Sequence, residues 1–557
     1  MNFNIQKSLL DGWKPYICII VLGFLIYAQV LFFGLTYLDD SIIIINNQNF
    51  FQNPQNIIQI FKQPDFISPQ FYRPILHLFF FFESYLSGTA PFLFHLTTFL
   101  LHLLGAILVF LLFLNLEYKK DISLIFSLIF VAHPVLTQSV AWIPGRTDSL
   151  WSIFAILSFI FLIKFIKTRS IITKNSKNNI ENYKVAENDA ENALSFLAPK
   201  SKFLTLLSPI LFFGAHLFFL ILTLLSKETA IVLPIIFIFY ILFIQNHGKK
   251  IRTSISFLLS WSVIIALWLA LRKIILSSFV GVSFYEIKQS IIAHIPAIFS
   301  YIGKILFPFN LSVLPHINDL SQSIILGFVG LILIVIALVF SKNKRFNFIV
   351  FGVVWFIVAL LPSFIISKIV HESRIYFPII GFFIIFLEID WIKKIDFSKI
   401  KHLIIFTIII LFFSVVSFLY VRTYATPISF WQNAIKTSPH SSLARLNLGV
   451  IYFFSGNLMK SEIEYKKAIE LNPKEQMAHN NLGFLYQTQK RYKDAEIEYK
   501  KEIKINPNYD VVYYNLGLLY YENKNTETAK KFIQHAIFLN PKNIYASELL
   551  ETLKNIF

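Results

Sequence analysis

Two adjacent carboxylates, Asp39 and Asp40, follow directly on an apolar run in "FFGLTYLDDSIIIINN". Neighbouring acids at a membrane surface repel each other and resist desolvation, so the pair invites acid–base work, cation binding or a capping role. More ionisable residues recur between later apolar runs. Arg73 lies in "FYRP", and His133, Gln138, Arg146 and Asp148 lie in "AHPVLTQSVAWIPGRTDSLW". Lys227 and Glu228 occupy "LLSKETAIVLP", Lys304 and His316 fall within 272–320, and His371, Glu372 and Arg374 form "HESR". His95 and His102 are seven residues apart and share one helical face. Taken singly, each is as readily a solvated loop residue. A set gathered on one side of a membrane instead suits a shared functional cavity.

What must position them is an apolar scaffold. The 557-residue chain is 56% hydrophobic, 15% charged and holds 62 Phe, with a mean hydropathy of +0.62. A soluble fold could not cover that much apolar surface. Runs long enough to cross a bilayer fall at 15–36, 91–114, 122–136, 149–167, 204–225, 229–245, 254–276, 321–341, 347–366, 376–391 and 402–421, about eleven spans. Two stretches, 73–87 and 288–308, are punctuated by Arg73, Glu83, His294 and Lys304 and read as interfacial or re-entrant helices.

With the N-terminus cytoplasmic, the cytoplasmic segments carry roughly twice the Lys and Arg of the outer ones. The net charge of +18 is therefore mostly an orientation signal and implies no nucleic-acid partner. An odd span count sets the C-terminal tail outside. The polar loop at about 168–202 reads as a cytoplasmic spacer. The lone Cys18 excludes a disulfide framework and a thiolate metal site. An Ile-, Asn-, Lys- and Phe-heavy composition fits an AT-rich genome and points to a prokaryotic plasma membrane.

From about residue 422 the chain becomes repetitive. Gly449, Gly483 and Gly517 are spaced 34 residues apart, as are Pro473, Pro507 and Pro541. Small residues at helix crossings and helix-ending prolines at this period are the signature of tetratricopeptide repeats, which stack into a superhelix with a concave face. The expected units are a half repeat at 427–441, repeats at 442–475, 476–509 and 510–543, and a closing helix at 544–557. Asn447, Asn481 and Asn515 recur once per repeat, and amides so placed can read a peptide backbone. They are equally the residue this repeat pattern favours there.

The ordered motifs "LDD", "NNQNF", "FYRPILHL", "AHPVLTQSVAWIPGRTDSLW", "SKETAIVLP" and "HESRIYFPIIG", followed by the repeats, resemble the transmembrane-and-TPR protein O-mannosyltransferase family of GT-C membrane glycosyltransferases. The resemblance implies an all-α fold, with a polytopic GT-C-like helical domain over 1–421 and an extracytoplasmic tetratricopeptide α-solenoid over 422–557. It implies a polyprenyl-phosphate sugar as donor and a protein hydroxyl as acceptor, held by the repeats. Asp39 or Asp40 is then the catalytic base, facing cations that stabilise the departing phosphate. Arg374 leads these, with Lys227, His133, His316 and Lys304 behind it. Arg73, His95, Gln138, Arg146, Asp148, Glu228 and Glu372 complete the expected cavity. Gln138 stands where relatives usually carry an acid. A divalent metal stays open, as does a lipid or glycan acceptor, and a membrane-anchored scaffold without catalysis is the alternative of a different class.

Overall fold

The computed structural model describes residues 10–186, 199–245, 250–276, 283–366, 370–396 and 399–554. The polar loop at 168–202 and the closing helix at 544–557 are thus described only in part. Among the described residues every regular element is a helix, and the chain divides into two units. The first comprises 1–311 and 320–426, and the second 312–319 and 427–557.

In the first unit the principal helices are α1 (Lys14–Tyr27), α2 (Pro74–Ser87), α3 (Pro91–Asn115), α4 (Lys120–Ala132), α5 (Arg146–Ala186) and α6 (Pro199–Ser226). They continue as α7 (Lys250–Ile275), α8 (Phe284–Leu306), α9 (Ser321–Val339), α10 (Phe346–Ile366), α11 (Pro378–Phe386) and α12 (Ile400–Tyr420). Nine helical segments among the described residues are long and apolar enough to cross a membrane, or ten if one bent pair counts as a span. The chain reads as a multi-pass membrane protein.

This is fewer than the eleven expected, and each difference has a local cause. The run at 122–136 bends by 53° between α4 and Pro134–Ala141, where Pro134 lacks the N–H that would continue the helix. The run at 229–245 divides into a 3₁₀ turn, a short α-helix led by Pro234 and a π-helical turn, in all Glu228–Ile244. The run at 376–391 holds only the nine-residue α11, whose residues Pro378–Ile385 are all buried. It is apolar because it is protein core, and hydropathy cannot tell core from lipid contact. Its Gly381 abuts Gly352 of α10, where an added Cβ would meet backbone at 2.6 Å. In the other direction, α8 is long and apolar enough to cross over Tyr285–Leu306, where an interfacial helix was expected.

The second unit is built from helix pairs: α13 (Pro427–Thr437), α14 (Ser442–Phe454), α15 (Leu458–Leu471), α16 (Ala478–Thr488), α17 (Tyr492–Ile505), α18 (Asp510–Glu522), α19 (Thr526–Leu539) and α20 (Ile544–Lys554). Its core repeats with the sequence. Gly449 packs on Tyr465, Gly483 on Tyr499 and Gly517 on Ile533, so close that an added Cβ would lie 2.6–2.8 Å from each ring or side chain. Glycine at each crossing lets the paired helices approach, and the partner side chain is buried in return.

Candidate functional site

The twin acids have different surroundings. Beyond α1 the chain turns back through Tyr37, which adopts a left-handed φ of 57°. Asp40, 1% exposed, holds that turn. Its Oδ2 accepts from Thr36 N at 2.5 Å and Thr36 Oγ1 at 3.0 Å, and its Oδ1 accepts from Leu38 N at 3.0 Å and Ser41 N at 3.1 Å. Both carboxylate oxygens are thereby engaged in fixing the loop and starting the helical turn at Ser41–Ile45. Asp39 instead lines a cavity of about 370 Å³ in the first unit.

Three carboxylates, Asp39, Asp65 and Asp148, and three cations, Arg73, Lys227 and Arg374, line that cavity. Arg73 Nε donates to Glu228 Oε2 at 3.0 Å and the guanidinium lies 3.9 Å from Asp65. Glu228 Oε1 also accepts from Tyr72 N at 2.8 Å, which fixes the backbone beside Arg73. Lys227 is ion-paired with Asp148. Arg374 donates to the Ser363 carbonyl at 3.2 Å.

The electrostatics separate the acids outside the spans. Burial, then the charges of Asp40 and Asp65, lift Asp39 to about 6 against the pull of Arg73. Burial also opposes charge on Asp65, yet the His77 hydrogen bond and the Arg73 guanidinium together hold it down at about 2. Asp65 is therefore a fixed negative charge, and Asp39 is a carboxylate that exchanges its proton near neutrality. Burial, then Arg374, pulls His371 down to about 3, so its ring is neutral.

Several other expected residues do not line the cavity and are engaged with partners inside the protein. Gln138 is fully buried and its Oε1 accepts from Ser373 N at 3.0 Å, which holds the turn that carries Arg374. In that turn Glu372, also fully buried, pairs with Lys304 at 2.6 Å. Arg146 is locked inside, donating to Glu83 Oε1 at 2.5 Å and the Phe94 carbonyl at 2.9 Å while stacking over Phe80. His133 bonds the Ile305 carbonyl at 2.9 Å, and His95 bonds the Gly34 carbonyl at 3.3 Å. None of Gln138, Glu372, Lys304, Arg146, His133 and His95, six in all, is among the residues lining the cavity.

His316 belongs to the second unit, 3.9 Å from Asp319. The three repeated asparagines there have unlike settings. Asn447 donates to the Leu443 carbonyl at 2.9 Å, Asn481 accepts from Asn480 at 3.3 Å, and buried Asn515 donates to Asn480 at 3.0 Å.

Sequence reasoning missed Asp65, Trp142 and Thr229 as wall residues. The signal for Asp65 was present: a solitary acid in "QPDFISPQFYRP", where its Oδ1 accepts from Ile67 N at 2.9 Å and Ser68 N at 3.1 Å to form the turn. Among the described residues, no group of three or more His, Cys, Asp or Glu side chains is arranged to hold a metal ion.

The tail matches tetratricopeptide-repeat family models over residues 443–475, 464–497 and 498–531. The chain is 33% identical over 97 residues to a mouse protein O-mannosyl-transferase, TMTC1, covering 17% of this chain and 10% of that protein. It is 30% identical over 142 residues to human TMTC3, with coverages of 24% and 15%, and 32% identical over 174 residues to mouse TMTC4, with coverages of 26% and 23%. These matches span less than a quarter of the curated relatives' own length. Among solved structures, the TPR domain of Arabidopsis OM64 is 20% identical with a TM-score of 0.20, covering 21% of this chain and 96% of that one. YrrB, a TPR protein with an unusual peptide-binding site, is 17% identical with a TM-score of 0.22, covering 39% and 97%. The chain is thus locally similar to protein O-mannosyl-transferases and carries tetratricopeptide repeats.

Proposed function

We propose that this chain is a membrane glycosyltransferase of the GT-C type. It moves a sugar, mannose being the first candidate, from a polyprenyl-phosphate donor to a hydroxyl of a protein acceptor. The observation that carries the reading is Asp39, a carboxylate lifted to about 6, sharing one cavity with Arg73, Lys227 and Arg374. Asp39 takes the proton of the acceptor hydroxyl. The freed oxygen bonds to the anomeric carbon as the carbon–oxygen bond to phosphate breaks, and the electron pair leaves with the phosphate. A single displacement inverts the anomeric centre. The departing group is already a stable anion, so it needs positive charge more than a proton, and Arg374 and Lys227 supply that charge. Asp40 and Gln138 keep the base and the guanidinium in place. The tetratricopeptide unit follows the last apolar helix in the chain and holds an extended acceptor segment, raising its local concentration.

The test is transfer in phospholipid nanodiscs, using radiolabelled polyprenyl-phosphate sugars and a peptide mixture. Wild-type protein is expected to place label in peptide, and Asp39→Asn is expected to lose at least a hundredfold in rate. Label found in lipid would change the acceptor. An Asp39→Asn protein working at full rate would remove the base and with it the mechanism.

A further inference from the structure

Three residues that line the same cavity carry buried polar atoms that nothing in the protein engages. Trp142 and Thr229 are each 6% exposed, yet the indole Nε1 and the hydroxyl Oγ1 have no hydrogen-bond partner. Nδ1 of His371 is likewise buried and without one. All three residues line the cavity. Buried polar atoms in folded proteins are nearly always paired, so three orphans on residues of one cavity lining call for a common reason.

The chemistry of the set narrows that reason. The indole N–H only donates, the threonine hydroxyl donates and accepts, and the imidazole nitrogen takes the role its tautomer allows. None carries a charge, since His371 is neutral. The indole and imidazole rings stack on each other with centroids 5.8 Å apart and planes at 23°. Neutral donors and acceptors beside aromatic rings suit a polyhydroxylated ring, whereas a phosphate calls for cations such as Lys227 and Arg374, which line the same cavity.

We propose that Trp142, Thr229 and His371 form the subsite that holds the hydroxyls of the transferred glycosyl ring. The assignment rests on reading this cavity as the transfer site, and it places the choice of sugar on these three residues. Each hydrogen bond to a sugar hydroxyl rejects a sugar lacking that hydroxyl or presenting it on the other face.

The test uses full-length protein in phospholipid nanodiscs, because sugar-headed detergents would compete. Methyl glycosides of several hexoses are added, and binding is read by saturation transfer from protein to glycoside protons. Wild-type protein is expected to bind at least one glycoside. Trp142→Phe keeps a ring but deletes the donor, and Thr229→Val keeps the shape but deletes the hydroxyl. Each is expected to weaken glycoside binding roughly tenfold, while polyprenyl phosphate without sugar binds as before. If Trp142→Phe misfolds in thermal melts, Thr229→Val decides alone.

Three results would overturn the subsite. They are no glycoside signal from wild-type protein at tens of millimolar, variants that bind like wild type, and variants that lose polyprenyl phosphate to the same degree. Glycoside binding lost in the variants, with no transfer from any donor lipid, would keep the subsite and reject the transferase.

Discussion

Replacing Asp39 by asparagine is expected to stabilise the protein while ending its activity. The charged carboxylate is disfavoured where it sits: burial, then Asp40 and Asp65, raise it from an ordinary 3.8 to about 6. At about 1.36 kcal/mol per pH unit this is a penalty of about 3 kcal/mol on the folded, ionised state. The sign follows from proton counts. Between 3.8 and about 6 the folded chain binds more protons at Asp39 than the unfolded chain, so its stability falls as pH rises through that window. Above about 6 the whole penalty is present, and below 3.8 it is absent. Asp39→Asn removes it, so the variant gains up to about 3 kcal/mol at pH 7.5 and almost nothing at pH 4. The gain should appear as a melting temperature several degrees above wild type, read by tryptophan fluorescence in nanodiscs at both pH values. A melting temperature unchanged or lowered at pH 7.5, or raised equally at both, would refute the electrostatic account of Asp39. Asp40→Asn is the control and should move the other way, because a carboxamide cannot accept the four hydrogen bonds that fix the loop.

In the wild-type protein, transfer should fall about tenfold per pH unit below about 6, a limb seen in kcat/KM against pH. Lys304→Met alone should destabilise by about 3–5 kcal/mol, since it strands the buried Glu372 carboxylate, and adding Glu372→Gln should recover most of that loss in thermal melts. Gln138→Ala leaves Ser373 N–H without its acceptor and should lower transfer by loosening the Arg374 turn, whereas Gln138→Glu should keep activity near wild type in the same assay. Gly483→Ala would drive a methyl to 2.8 Å from the Tyr499 ring and should cost about 1–3 kcal/mol, seen as faster hydrogen exchange across residues 478–505.

The fold was largely legible because its two signals are written along the chain. Apolar length reports what can lie in lipid, and the 34-residue spacing of Gly449, Gly483 and Gly517 reports helix pairs that stack. The reading missed where an apolar run changes meaning. The buried α11 looks like a span to hydropathy, and α8 looks too polar until its length is counted. The candidate site was legible in part. Residue types flagged Asp39, Arg73, Asp148, Lys227 and Arg374, all lining one cavity, but gave no means to separate them from Arg146, His133 or Lys304. Those three are just as polar and are engaged with Glu83, the Ile305 carbonyl and Glu372.

By itself, then, the sequence determined an apolar helical unit, a stacked-repeat unit and a set of ionisable residues between the apolar runs, since composition and period are properties of the chain read in order. Only the tertiary structure decided which acid of the pair faces the cavity and which cations already have partners. Those answers depend on contacts such as Arg73 with Glu228, 155 residues apart, and Gln138 with Ser373, 235 apart. Whether a charge is available for chemistry is set by what the fold brings against it, and no spacing along the chain encodes that.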